Sequence, residues 1–161
     1  MSQSISLYNQ LANHKLFSKS VNFGLERVKL ALGLLGHPEK KLKNVISVIG
    51  ESGKFTTLFS LKSFIEANNQ KVTTHVSPSL RDIKERFYMG DKYLSHKEIK
   101  KTIKQIEKLN IPLTVFECLT LIYIINASKI NADYNIQETG ALWRLDLSLI
   151  HISEPTRRPV I

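Results

Sequence analysis

Residues 45–57 read VISVIGESGKFTT, and this stretch constrains the fold more than any other. Val45, Ile46, Ser47, Val48 and Ile49 are mostly apolar and β-branched, the composition of a short strand covered on both faces. Gly50 ends the run. Gly50-Glu51-Ser52-Gly53-Lys54 can form a tight turn with its backbone N–H groups pointing inward. Thr56 and Thr57 then open a segment in which Leu58, Leu61 and Ile65 follow helical spacing. Strand, Gly-Lys loop, threonine, helix is the order of a phosphate-binding loop, in which N–H groups and a helix N terminus surround phosphate oxygens. In such loops the lysine meets the terminal phosphates and the following hydroxyl can ligate Mg2+. The spacing departs from the usual form, with two residues between Gly50 and Gly53 and with Phe55 between Lys54 and Thr56. An ordinary strand-to-helix turn therefore stays open as the alternative.

The chain has 161 residues, a length that suits one domain, and its 42% hydrophobic content is enough for a packed core. Cys118 is the single cysteine, which excludes an intrachain disulfide and a cysteine metal cluster. Met1 to Ser6 is polar, unlike a secretory leader, and the longest apolar run, Leu119 to Ile125, is too short to span a bilayer. A cytoplasmic, monomeric protein with no membrane partner is expected. The formal charge of +9 suits any anionic ligand. No interleaving of basic and aromatic residues of the single-strand-binding kind is present, so no nucleic-acid partner is expected.

The remaining elements follow from periodicity and stop signals. Leu7 to Phe17 can form a short helix. Leu25, Val28, Leu32 and Leu35 mark a second one, stopped by Gly36 and Pro38. The helix after the Gly-Lys loop runs to about Asn68, and Val72 to Val76 reads as a strand, giving a parallel strand–helix–strand unit. Ligands of such sheets lie at the carboxyl ends of the strands, where Gly50 to Thr56 and Ser77 to Leu80 would fall. Ser95 and Glu98 form a capping box for a helix to Asn110, with Ile99, Ile103 and Ile106 inward and Lys97, Lys100, Lys101, Lys104 and Lys108 on a solvated face. Thr114 and Glu117 form a second capping box, opening an apolar helix through Ala127. Cys118 reads as a buried small side chain. Asp133 to Gln137 reads as a third strand, with Glu138 at its carboxyl end.

The order of these motifs resembles the folylpolyglutamate synthase/dihydrofolate synthase family of the Mur-ligase superfamily. The family loop G-T-N-G-K-G-S corresponds to Gly50-Glu51-Ser52-Gly53-Lys54-Phe55-Thr56, with Glu51 and Phe55 as departures. The family S-P-H-L corresponds to Ser77-Pro78-Ser79-Leu80, and its R-E-R-like core to the stretch ending at Glu85-Arg86. The family T-x-F-E corresponds to Thr114, Phe116 and Glu117. The family E-V-G-x-G-G-R-x-D corresponds to Glu138-Thr139-Gly140-Ala141-Leu142-Trp143-Arg144-Leu145-Asp146, where Glu138, Gly140, Arg144 and Asp146 match. The likeness covers about Leu25 to Asp146.

The resemblance implies an α/β fold: a truncated P-loop, Mur-ligase-like ATP-binding domain with a three-layer parallel sheet and flanking helices. It implies ATP and Mg2+ as cofactors, with Gly50 to Thr56 around the nucleotide, Lys54 as the catalytic cation, and Thr56 and Glu138 on the metal. It implies Ser77, Thr114, Phe116, Glu117 and Asp146 near a folate or dihydropteroate substrate, and L-glutamate as the amine. Residues 1–146 would form the N-terminal part of the domain. Residues 147–161 read like a translated sequencing adapter and are expected to be a non-native tail. A chain of this extent is expected to be inactive alone. The alternative is a non-catalytic nucleotide-binding or basic nucleic-acid-binding module.

Overall fold

The computed structural model describes residues 13, 17–18 and 25–139. Its elements in chain order are β1 (Phe17–Ser18), α1 (Glu26–Leu34), a 3-10 turn (Pro38–Lys41), β2 (Val45–Val48), α2 (Lys54–Ala67), β3 (Val72–His75), a second 3-10 turn (Ile83–Arg86), β4 (Phe87–Met89), α3 (His96–Glu107), β5 (Leu113–Thr114), α4 (Val115–Ala127) and β6 (Tyr134–Glu138). The expected helix over 7–17 lies mostly outside the described residues. Its last residue, Phe17, is a strand residue instead, because Phe17–Ser18 pairs in parallel with Leu113–Thr114.

The main sheet has the order β2-β6-β3-β4. β2, β6 and β3 are parallel, with Val48 opposite Glu138 and His75 opposite Gln137. β4 is an antiparallel edge, with His75 opposite Phe87. The three-layer parallel architecture thus holds for the first three strands of that order, and the chain leaving β3 turns back on itself to add the fourth. The last strand in sequence, β6, lies between the first two.

One face of the sheet carries α2, whose Leu58 packs with Val48, Val72, Val76 and Ile136. The other face carries α1, α3 and α4 in a larger core around Tyr123, Phe87, Leu121 and Ile122. The helices begin and end where local chemistry dictates. α1 stops at Gly36 and His37, both at positive φ, where the His37 N–H donates to the Leu32 carbonyl (2.9 Å) and Pro38 cannot continue the helix. α3 starts at the Ser95–Glu98 capping box and buries Ile99, Ile103 and Ile106, leaving its lysines exposed. α4 has apolar residues all round, and every one of its residues but Phe116 is buried. A helix of that kind must be a core element. Among the described residues no helix is long and apolar enough to cross a membrane.

A polar layer lies between the sheet and α4. Tyr123 and Thr73 hydroxyls bond at 2.9 Å, and Thr73 donates to Asn135 (2.6 Å). His75 is stacked between Phe87 and Tyr123, at 5.5 and 5.2 Å between ring centroids. Its Nε2 and the side-chain amide of Gln137 are buried with no hydrogen-bond partner among the described residues. Burial, followed by the nearby Arg86 charge, pushes the His75 pKa from 6.5 down to about 3. Below pH 6.5 the unfolded chain therefore takes up a proton that the folded chain refuses. Stability should fall with decreasing pH between 6.5 and 3, with this residue contributing about 1.4 kcal/mol per unit within that window. Urea unfolding across this range should show the slope, and His75→Phe should remove that contribution. An unchanged slope in the variant would mean that His75 titrates normally.

Candidate functional site

β2 ends at Val48, and the turn that follows needs two residues without side chains. Gly50 adopts φ 145° and Gly53 φ 76°, regions that favour glycine. Gly53 is the N-cap of α2 and offers no side-chain cap, whereas Ser95 and Thr114 cap α3 and α4. The first-turn N–H groups of α2 thus carry the positive end of the helix dipole without a competing side-chain acceptor at the cap. Glu51, Ser52, Phe55 and Thr56 are exposed. The Phe55 ring lies against Phe59, 4.4 Å between centroids, and Phe59 in turn packs against the core beneath α2.

Lys54, the first residue of α2, curls back over this turn. Its Nζ donates to the Gly50 carbonyl (2.8 Å) and the Glu51 carbonyl (3.4 Å). It also lies 4.0 Å from Glu138 Oε1. Glu138 reaches that point because β6 is inserted beside β2 in register, Val48 opposite Glu138. Thr139 locks the strand ends together: its N–H and its hydroxyl both donate to the Val48 carbonyl at 3.0 Å. Glu138 is 7% exposed, and its Oε2 accepts the Ser77 N–H at 2.9 Å. Three parallel strands therefore deliver Lys54, Glu138 and Ser77 to one edge. A nearly buried carboxylate with one oxygen held by an amide and the other turned toward a lysine suits a hard divalent cation, which takes oxygen ligands. Among the described residues no group of three His, Cys, Asp or Glu side chains could hold a metal ion. A cation here would draw its remaining ligands from elsewhere, as Mg2+ does from phosphates and water.

The second group of expected site residues stands at the start of α4. Thr114 Oγ1 accepts the Glu117 N–H (3.1 Å), and Glu117 Oε2 accepts the Thr114 N–H (2.6 Å). The capping box read from the sequence is therefore formed. Glu117 Oε1 also accepts two bonds from Arg27 of α1, at 3.2 and 2.9 Å. Phe116 is half-buried and packs against the larger core. Asp146, Gly140, Arg144 and the suspected tail over 147–161 lie outside the described residues. Sequence reasoning passed over Arg27 and Arg86 as partners. Arg27 bonds a residue 90 positions away, a pairing no local pattern encodes. The only signal for Arg86 was the R-E-R-like spelling around it.

These features define an α/β domain with a strand, a Gly-Lys turn and a helix in succession and an acidic side chain at the end of the neighbouring strand. No protein-family profile matches the chain. The dihydrofolate synthase/folylpolyglutamate synthase of Escherichia coli (strain K12) is 34% identical over 137 residues, covering 84% of this chain and 32% of the relative. The structure matches E. coli FolC in complex with DHPP and ADP with a TM-score of 0.81 and 34% identity, over 89% of this chain and 34% of that one. It also matches a bifunctional folylpolyglutamate synthase/dihydrofolate synthase with Mn, AMPPNP and L-glutamate bound, with a TM-score of 0.78 and 30% identity, over 88% of this chain and 34% of that one. The curated homologues and structural neighbours that cover most of this chain are folylpolyglutamate/dihydrofolate synthases. The chain spans about a third of the length of the curated relatives it matches.

The Arg27–Glu117 pair allows a direct check on the second group. The Glu117 side chain is 1% exposed and that of Arg27 27%. Arg27→Met would leave a buried carboxylate without its cation, a change that costs about 3 kcal/mol. Urea unfolding should show the midpoint lowered by that free energy divided by the m-value, with the m-value itself unchanged. A shift below the error of the extrapolation would show that the pair does not brace α4.

Proposed function

We propose that the chain supplies the nucleotide-phosphate and metal-binding part of an ATP-dependent ligase that joins L-glutamate to a dihydropteroate or folate carboxylate. The observation that carries the proposal is the juxtaposition of Lys54 and Glu138 across the paired ends of β2 and β6, 4.0 Å apart beside the Gly50–Gly53 turn. Support also comes from the relatives, whose structures were obtained with ADP and DHPP, or with Mn, AMPPNP and L-glutamate.

In this reading the N–H groups of residues 50–56 surround the phosphates and Lys54 approaches their terminal oxygens. Thr56 and Glu138 would hold Mg2+, which when bound neutralises charge on the nucleotide phosphates. A substrate carboxylate oxygen attacks the terminal phosphorus, and the bond to the leaving ADP oxygen breaks. The glutamate amine then attacks the acyl carbon, its nitrogen loses a proton, and inorganic phosphate departs with the electrons of the C–O bond. The protein's part is orientation and charge neutralisation, as in other phosphoryl transfers. Ser77, Thr114, Phe116, Glu117 and Asp146 belong to the carboxylate substrate's side in this reading. Glu117 would act there chiefly by fixing the turn that presents Thr114 and Phe116, since both its oxygens already accept bonds.

The proposal extends to this chain having no glutamate-dependent turnover alone, because it spans about a third of its relatives' length. A closed site that excludes water from an acyl phosphate would need more protein than that. A second reading, polyanion binding, is favoured by one feature. A groove of about 680 Å3 beside α3 is lined by His96, Lys97, Lys100, Lys101, Lys104, Gln105 and Lys108.

Calorimetric titration separates the two. Saturable binding of ATP with Mg2+ is expected, weakened roughly tenfold or more by Lys54→Ala, the loss of a charged hydrogen bond. Phosphate release with dihydropteroate or folate should not respond to added glutamate. Binding of any polyanion that falls steeply with salt, and is indifferent to Lys54→Ala, would overturn the ligase reading.

A further inference from the structure

The segment between β3 and β4, residues 76–86, makes a loop whose outer part braces itself. Glu85 Oε2 accepts the N–H groups of Leu80 (2.8 Å) and Arg81 (3.1 Å). Asp82 Oδ1 accepts the Lys84 N–H (2.9 Å) and contacts His96 Nε2 at 2.9 Å. The root of the loop is held differently. The Val76 N–H donates to the Arg86 carbonyl (3.2 Å), and Arg86 Nη1 donates to Ser77 Oγ (2.9 Å). The Arg86 residue is 6% exposed. Burying a guanidinium is costly, so its position at this root calls for a reason beyond solubility.

The bond that follows supplies one. The same Ser77 whose hydroxyl oxygen accepts the Arg86 Nη1–H bond donates its own N–H to Glu138 Oε2 (2.9 Å). The last torsion of a glutamate is broad and nearly two-fold, so a free carboxylate turns easily. A fixed donor on one oxygen sets the plane of the group and decides which oxygen faces Lys54. Here the donor is the Ser77 amide, and what fixes Ser77 from behind is Arg86.

We propose that Arg86 is a positioning residue for the metal-facing carboxylate: through Ser77 it holds Glu138 Oε2 and so presents Oε1 to Lys54 and to the cation that Glu138 is proposed to bind. The inference rests on that metal-site reading and adds a residue that acts through Ser77. Residues that orient a metal ligand from behind typically change metal affinity about 10–100-fold when removed.

The test uses the full 161-residue chain and two independent readouts. The first is the affinity for AMPPNP with Mn2+ and with EDTA. Arg86→Met should weaken binding with Mn2+ by about 10–100-fold and leave the metal-free affinity unchanged, and Arg86→Lys should restore part of the loss. Lys54→Ala, in contrast, should weaken both. The second readout is amide hydrogen exchange at Ser77 without metal or nucleotide. Protection of that amide should be lost in Arg86→Met while amides of α4 keep theirs. If the wild-type chain binds no nucleotide, the functional reading fails for this chain, and the exchange experiment still decides the positioning role. Unchanged Ser77 protection in Arg86→Met would overturn the inference, as would equal losses with and without Mn2+.

Discussion

The carboxylate of Glu117 is the point on which the rest of the structure depends. α4 is buried along nearly its whole length, so water cannot satisfy its first N–H groups or balance a charge at its start. Glu117 meets both needs from inside: it accepts the Thr114 N–H, and Arg27 brings a cation across from α1. With that end fixed, the helix can present Tyr123 to the polar layer under β3 and β6, and α3 can pack Ile99, Ile103 and Ile106 into the same core. The short pairing of β1 with β5 is set at the same place, one residue before the helix begins. A single acidic side chain thus couples the helical layer to the sheet through bonds that are local in space and distant in sequence.

The order of the strands in the sheet brings the residues of the candidate site together. The turn after β2 provides the N–H groups and Lys54, the segment after β3 provides the Ser77 amide, and β6 enters between them with Glu138 at its end. Had β6 joined at an outer edge, the carboxylate could not have met both neighbours. Alternation along β6 divides labour further: Asn135 serves the layer toward α4, while Ile136 seals the opposite side against α2.

Much of this was legible in the sequence, and the limits have a physical origin. The Gly-Lys turn, both capping boxes, the stop at Gly36 and the apolar helix after Thr114 depend on neighbours within four residues, and each was read correctly to within a residue or two. Glu138 was placed at a strand end by the same local logic. The insertion of β6, the antiparallel β4 and the strand at Phe17 depend on which segments pair, a matter of tertiary packing that periodicity does not record. The bonds from Arg27 to Glu117 and from Arg86 to Ser77 were invisible for a related reason. An arginine inside an amphipathic or turn segment looks like any solvated cation until the partner arrives from another part of the chain.

The strand order also leaves an open flank. Among the described residues β2 is paired on one side only, so along its other side the backbone of Val45 to Val48 presents unpaired donors and acceptors. Natural sheets guard such flanks with brevity and with lysine. β2 is four residues long and is preceded by Lys40, Lys41 and Lys43. The segment VISVI is nonetheless uncharged and β-prone, the kind of stretch that adds strands from other molecules. Among the described residues, that flank, next to the turn that carries Lys54, is the edge best suited to take an added strand when high salt screens the lysine repulsion.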